Sequence, residues 1–471
     1  MNVTQRIGAN MAAAFVGKAV VAIAGVVGVA IISRHLGAYD YGILRIALTF
    51  VSFAGAFSNL GLNYIMLREV AKDEHASSRI IGTSIGLRMG VTAAALAIGI
   101  AIALCMPWNS TIIAAIAIAG IGVVAYQGNE LITGVLQWRL RQGRAMLAEA
   151  VGATVALIAA AIAAYMGSGV LVMTATTSLG LVVAFVLAWM LAAQLTTVRP
   201  RIDKETSRQL IRLGLPIAVS ASFTLVTLRS NTLLLSIFQS PTDVGLFGIA
   251  TKIYEVGLQL PVLMGGLLMP LFSRAATQPS QLREQIGHAL HALTIAGIAI
   301  VLALGFFAED IVVLLAGPAF APGAPAVRIV AVSLALAGIS AVLRYAAVAQ
   351  EQQASLMRID GIVMIIAVVA YFILIPQFSF IGAALGALIA EIATIVGLLR
   401  IVSRNIGGVP VTRFVTRALL AGALAAAALI LLRTGPLPQF VDALVGAATY
   451  MALLLMTGSL KTQFVKDLLA R

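Results

Sequence analysis

The chain has 471 residues, of which 61% are hydrophobic and 10% are charged, and its formal net charge is +13. Soluble domains carry about 25% charged residues, so this composition excludes a water-soluble globular protein. The single cysteine, Cys105, excludes a disulfide framework and a thiolate metal centre. His288 and His291 lie three residues apart and are expected to be an interfacial pair, with a metal site as the alternative, so no metal is predicted.

Apolar stretches follow one another along the whole chain. Each is long enough to cross the hydrocarbon core of a bilayer, which takes about 20 helical residues. The pattern predicts an all-α integral membrane protein with about 14 transmembrane helices, joined mostly by short connections. The predicted spans run over residues 11–33, 43–67, 81–105, 112–135, 148–167, 170–194, 213–238, 244–272, 286–308, 327–349, 356–375, 380–402, 414–433 and 441–460.

The basic residues are distributed unevenly between the two sides of the membrane. The N-terminus and the loops after even-numbered spans hold about two thirds of the 31 Lys and Arg, whereas the loops after odd-numbered spans hold only Arg34 and Arg433. Cytoplasmic loops retain Lys and Arg, so both termini are expected to be cytoplasmic. This asymmetry also accounts for the positive charge without a nucleic-acid partner.

A short internal repeat divides the chain into similar halves. Residues 42–47 (GILRIA) open span two, and residues 245–250 (GLFGIA) open span eight. Repeated halves are typical of transporters with a substrate site near the bilayer midplane. The predicted domains are an N-lobe over 1–195, a cytoplasmic linker over 196–212, a C-lobe over 213–405, and a C-terminal part over 406–471 that holds two further spans and a cytoplasmic tail.

Several short motifs lie at the ends of these spans. The segment from Arg34 to Gly42 fits the pattern R-x-L-G-x-x-x-Y-G. Over residues 5–405 the chain resembles the polysaccharide transporter (O-antigen flippase-like) family of the multidrug/oligosaccharidyl-lipid/polysaccharide exporter superfamily. The motif residues are Asn10, Arg34, Gly37, Tyr41, Gly42, Arg68, Glu69 and Pro216.

The resemblance implies a V-shaped, two-lobe exporter fold that works by alternating access. It implies an undecaprenyl-pyrophosphate-linked oligosaccharide repeat unit as cargo, moved across the bacterial inner membrane for polysaccharide or O-antigen synthesis. A polysaccharide polymerase and a chain-length regulator are the partners that it suggests. Family members often carry an aspartate near the middle of span seven, but this chain has Arg229, Ser230 and Asn231 there. A carboxylate ion site in that helix is therefore not expected.

Cations inside the spans are the candidate cargo-binding residues, because an intramembrane charge is costly unless it lines a cavity, pairs or reaches an interface. We expect Arg229, Lys252 and Lys18 to contact the anionic cargo, with Arg45 and Arg88 as weaker members. A structural role remains an alternative for Arg229, as a paired arginine inside the protein. For Lys18 and Arg88, partial snorkelling towards the interface is the alternative.

Intramembrane carboxylates are candidates for ion coupling or charge pairing. Glu391, near the centre of span twelve, is expected either to couple transport to protons or to pair with a basic residue. Glu255 lies three residues after Lys252 on one helical face, and the two could neutralise each other. Glu130 belongs to a polar end of span four that predicts either a hydrated mouth or interhelical hydrogen bonds. Coupling to protons, sodium or the membrane potential stays open, and no cofactor is predicted.

Other functions fit the sequence less well. The chain has no P-loop, which argues against ATP-driven export. No loop is long enough for a catalytic domain, so an enzyme is not expected. A cation-coupled multidrug exporter of the same superfamily is the first alternative, for which Glu130 and Glu149 are the intramembrane carboxylates of the N-lobe. A lipid II flippase is the second, although the arginine-rich opening segment of that branch is not seen.

Overall fold

In the computed structural model, the backbone is described for residues 3–59, 61–73, 75–196, 199–409, 413–432 and 439–456, with the side chains of 3–15, 57, 59, 216–217, 220, 413–415, 432 and 439–444 outside the description. These ranges contain helices and no strand. A short 3-10 helix covers Pro318–Gly323. The α-helices are α1 (Val3–Asn59), α2 (Leu62–Lys72), α3 (Ser77–Leu104), α4 (Ser110–Trp138), α5 (Gln142–Tyr165), α6 (Val170–Ala193), α7 (Lys204–Phe238), α8 (Pro241–Gly257), α9 (Gln259–Ala275), α10 (Pro279–Phe306), α11 (Ala308–Ala316), α12 (Ala324–Ala349), α13 (Gln353–Ile406), α14 (Arg413–Leu432) and α15 (Gln439–Met456).

The helices account for the predicted spans. Within the described ranges, ten helical segments are long and apolar enough to cross a membrane. Two of them, in α1 and α13, are interrupted by a residue with non-helical dihedral angles, Gly37 and Ser379, so each supplies two spans. The shorter apolar helices α14 and α15 bring the total to the fourteen expected. The predicted class, an all-α multi-pass membrane protein, is confirmed.

Gly37 places a kink in α1 between two spans. Its φ of 71° and ψ of 177° lie in a region that is essentially restricted to glycine. The helix resumes directly after this residue. The predicted pattern around Gly37 therefore includes the residue at which the helix is interrupted.

Gly37→Ala is expected to lower the melting temperature of the purified protein, because a Cβ at this φ and ψ costs about 1–3 kcal/mol. The measurement is thermal unfolding in detergent, followed by size-exclusion chromatography. Gly25→Ala is the matched control, since Gly25 lies in the same helix with nothing within 4 Å of an added Cβ. Equal melting of the two variants would show that the kink tolerates a side chain.

The helices form two compact units. Met1–Gly248 and Leu315–Phe320 make up the first, and Ile249–Leu314 and Ala321–Arg471 the second. In the first unit, Leu62, Ile85, Leu131 and Leu136 are fully buried where α2, α3 and α4 meet. Burial of such side chains stabilises the packing by about 1.5–3 kcal/mol each.

The second unit has a core of its own. It is formed by α9, α10, α12 and α13, in which Phe272, Ile286, Val342 and Leu398 are fully buried. Helices α14 and α15 pack on α10, where the Tyr450 hydroxyl donates a hydrogen bond to a backbone carbonyl at 3.1 Å. The two C-terminal helices are thus an addition to one face of this unit.

The compact units differ from the predicted lobes in one respect. Helix α7, assigned from the sequence to the C-lobe, lies in the first unit, and the boundary falls inside α8 between Gly248 and Ile249. The predicted lobes were drawn from the sequence repeat, and a division of the chain into compact units does not test that repeat. The domain limits 1–195, 196–212, 213–405 and 406–471 therefore stay a prediction.

Candidate functional site

Residues of the Arg34–Gly42 motif make close packing contacts in the first unit. Tyr41 is 2% exposed, and its ring packs edge-on against that of Phe320, with centroids 5.7 Å apart. Gly42 lies against the backbone of Pro241 and Gly245, where no Cβ would fit. The two glycines that open the repeated hexapeptides therefore touch each other. This part of the family motif serves packing.

The remaining motif residues lie nearby or at a helix end. Arg34 packs beside Gly317, which has a positive φ of 94°. At the end of α2, Glu69 accepts hydrogen bonds of 3.0 Å from Lys72 and from Arg68. These contacts hold the pKa of the Glu69 carboxyl below its ordinary value, Lys72 having the larger effect. Asn10 and Pro216 belong to α1 and α7, with side chains outside the described residues.

An ion pair between a fully buried arginine and a partly exposed glutamate joins α3 to α4. The Arg88 side chain is 0% exposed, and its Nε donates to Gln127 Oε1 at 3.0 Å. Its Nη2 donates to Gln127 and to the carboxylate of Glu130. The alternative considered for Arg88, snorkelling towards the interface, does not describe this side chain, because the guanidinium is enclosed by protein. Its charge is met by Glu130.

Beside this pair lies a cavity of about 380 Å³, which we call the α4 cavity. It is lined by Tyr126, Asn129, Glu130 and Thr133 of α4 and by Glu149 of α5, among others. Asn129 Oδ1 and Thr133 Oγ1 have no hydrogen-bond partner among the described protein atoms. Buried polar groups are normally satisfied by protein or water. The polar end of α4 thus lines a cavity and also makes hydrogen bonds to α3 through Gln127 and Glu130, so both sequence expectations for α4 stay open.

Three of the five candidate cations lie near this cavity, although none of them lines it. Lys18 of α1 lies within electrostatic range of Glu149, and Arg229 of α7 lies within range of Tyr126, as does Arg88. Their helices are packed together, since α1 contacts both α5 and α7. Arg88 is paired with Glu130, Lys18 is exposed and Arg229 is half-buried.

The other two cations lie elsewhere. Arg45 is 9% exposed and packs against Gly248 in the first unit. Lys252, in the second unit, has its Nζ 3.9 Å from a carboxylate oxygen of Glu255. The mutual neutralisation considered from their spacing is therefore the arrangement that the structure shows.

Glu391 is held in the second unit by hydroxyl groups. Its carboxylate accepts hydrogen bonds from Ser340 at 2.5 Å and from Tyr254 at 3.5 Å. The nearby Arg344 makes a two-point ion pair with Asp360 instead, at 2.8 and 3.1 Å. Within the described part of the chain, Glu391 has no ion-pair partner within 4 Å. The sequence analysis did not identify Ser340 and Tyr254 as partners of Glu391. They lie 51 and 137 positions from it along the chain, and a single sequence carries no signal for such distant contacts.

Metal binding has no support from the described residues, among which no group of three or more His, Cys, Asp or Glu could hold an ion. The arrangement instead offers a cavity lined by polar side chains and two carboxylates, with cations on the neighbouring helices. Such groups suit binding and movement of a charged solute.

Solved structures with the same fold are membrane transporters. The lipid II flippase MurJ, in an inward closed conformation, has a TM-score of 0.78 and 12% identity, with 97% of this chain and 99% of that one covered. A multidrug resistance MATE family transporter of the MOP superfamily, in an inward-facing conformation, has a TM-score of 0.68 and 16% identity, covering 82% and 95%. A MOP superfamily transporter from Pyrococcus furiosus reaches 0.53 and 17%, covering 85% and 95%.

These identities are low, so the similarity shows the fold alone, which is that of the MurJ and MATE exporters. A comparison with curated protein sequences finds no match. A family model described as polysaccharide biosynthesis protein matches residues 7–276. Family and fold together point to a transporter, and the chain belongs to the polysaccharide biosynthesis protein family.

Proposed function

We propose that the protein is a flippase for an undecaprenyl-pyrophosphate-linked oligosaccharide repeat unit, used in polysaccharide or O-antigen biosynthesis. It would work by alternating access in the bacterial cytoplasmic membrane, with both termini cytoplasmic. A polysaccharide polymerase and a chain-length regulator would be its partners.

One observation carries this proposal: the chain belongs to the polysaccharide biosynthesis protein family and has the fold of the MurJ and MATE exporters. Lys18 and Arg229 lie on helices near the α4 cavity, and positive charges near a transport route favour an anionic solute. A pyrophosphate-linked sugar is such a solute, and it is the cargo class that polysaccharide synthesis requires.

The membrane potential supplies a driving force for this cargo. With the inside negative, moving each negative charge outward gains about 2.3 kcal/mol per 100 mV. An anionic lipid-linked sugar can therefore be exported without ATP. Cations along the route lower the cost of bringing the pyrophosphate through the apolar interior.

A sided flipping assay tests the proposal. The purified protein is reconstituted into liposomes with a fluorescent polyprenyl-pyrophosphate oligosaccharide and a negative-inside potential, and exposure of the sugar to an external glycosidase is followed. We expect exposure that depends on the protein and rises with the potential. Liposomes that expose no sugar above the protein-free level would contradict it.

Arg229→Ala and Lys18→Ala are each expected to slow flipping about tenfold, since a charge-assisted hydrogen bond is worth about 1.5–3 kcal/mol. Lys252→Ala should slow flipping less, because the Lys252 ammonium already forms an ion pair with Glu255. Arg208→Ala, an exposed arginine at the start of α7, is the matched control and should leave the rate unchanged. Wild-type rates in both Arg229→Ala and Lys18→Ala would remove these cations from the cargo site.

A cation-coupled multidrug exporter is the second candidate, and one observation favours it. Glu130 and Glu149 both line the α4 cavity, and carboxylates in a cavity can bind a cation or a proton. Proton-driven expulsion of a lipophilic cation from the same vesicles, without sugar exposure, would assign that function. Lipid II as the cargo in a parallel assay distinguishes the lipid II flippase.

A further inference from the structure

The surface of the second unit carries a groove between the two halves of α13. The groove has a volume of about 430 Å³, within the range of small-molecule sites. Its walls are apolar, with Ile359, Ile362 and Ile366 on the first half and Val396 and Ile401 on the second. Several of these side chains are strongly exposed, Ile362 at 58% among them. We call this feature the α13 groove.

Close approach of the two halves forms the floor of the groove. Gly397 has no side chain, and an added Cβ would come within 2.9 Å of Ile359 Cγ2. The fully buried Leu398 points instead into the core of the unit. The groove is therefore formed on the surface of the second unit by the missing side chain of Gly397. The neighbouring Leu398 belongs to the hydrophobic core beneath it.

Three arginines surround one end of the α13 groove. Arg358 lies near the start of α13, and Arg400 and Arg404 lie near its end. Asn405 donates a hydrogen bond of 2.9 Å to Gln350, which confirms that the two ends are adjacent. No carboxylate lines the groove. In the described part of the chain, none of the three arginines has an ion pair with an acidic side chain.

The length of the groove matches one leaflet of a bilayer. It extends from Ser355 to Ile366 on one half and from Ala393 to Arg404 on the other. Eleven residue steps at about 1.5 Å each give about 16 Å. Half of a hydrocarbon core of about 30 Å is about 15 Å. A lipid with its phosphate at the arginines would therefore lay one acyl chain along the groove as far as the midplane.

We propose that the α13 groove binds an anionic phospholipid of the adjacent leaflet. The three arginines would donate charge-assisted hydrogen bonds to its phosphate, and the isoleucine and valine walls would hold one acyl chain. A free phosphate would leave the apolar walls exposed. The groove ends at the midplane, which suits a leaflet lipid better than a long polyprenyl cargo. The site is separate from the α4 cavity, so its test does not depend on the flippase activity.

Native mass spectrometry of the purified full chain, titrated with phosphatidylglycerol or phosphatidylcholine, tests the site. We expect the wild type to retain phosphatidylglycerol preferentially and to melt at a higher temperature with it. The triple variant R358Q/R400Q/R404Q should bind it at least about tenfold more weakly, since each basic residue at an anionic surface contributes substantially. Restoring the charge with R358K/R400K/R404K should recover most of the binding.

The control variant R79Q/R208Q/R212Q removes the same charge from exposed arginines elsewhere and should bind like the wild type. Ala393→Phe fills the groove without changing charge and should also weaken binding. Equal losses in the control and test triples, or undiminished binding by Ala393→Phe, would overturn the site. So would tighter binding of a polyprenyl phosphate than of phosphatidylglycerol, because the groove would then serve the cargo.

Discussion

Glu130→Ala is expected to destabilise the protein by about 1–3 kcal/mol, the cost of leaving a buried polar group without its hydrogen-bond partner. The reason is the enclosure of Arg88, which is 0% exposed and would keep only Gln127 as a hydrogen-bond partner. Its Nη1 already lacks a partner among the described atoms. Thermal unfolding in detergent, followed by size-exclusion chromatography, would measure the loss.

Two controls show whether burial of the charge is the cause. The double variant R88M/E130L removes both charges and should recover most of the stability, because a buried pair can often be replaced by apolar residues. Glu69→Ala removes a carboxylate whose partners Arg68 and Lys72 are exposed, and it should change stability by about 1 kcal/mol or less. If Glu130→Ala melted like Glu69→Ala, the account of an enclosed arginine would be wrong.

Gly42→Val is expected to prevent accumulation of folded protein. Overfilling a packed contact usually costs about 1–3 kcal/mol, and here the new atoms meet backbone, which cannot move aside as a side chain can. The neighbouring groups are the carbonyl of Pro241 and the amide of Gly245. Both chain segments would have to separate, which would also disturb the Tyr41–Phe320 contact.

The amount of monodisperse protein extracted from membranes measures this effect. Gly90→Val is the matched control, because an added Cβ at Gly90 meets nothing within 4 Å and its surroundings are exposed. It should be extracted in wild-type amount. A normal yield of Gly42→Val would mean that the packing around Gly42 is looser than the contacts indicate.

The sequence alone determined the membrane class, the fourteen spans and the family resemblance. Hydropathy is a local property, so each apolar stretch can be recognised from its own residues alone. The kink at Gly37 was also within reach, because glycine marks a backbone conformation that other residues avoid. The pattern from Arg34 to Gly42 was recognisable as a motif, although its structural role was not.

Only the tertiary structure decided which charges meet. Arg88 and Glu130 are 42 positions apart, and Ser340 and Glu391 are 51 apart, so neither contact has a sequence signal. Lys252 and Glu255 could be paired from sequence because three residues on a helix share a face. Whether a cation lies in a cavity or in the core depends on helix rotation and packing. Those are set by contacts between distant segments, which no local pattern records.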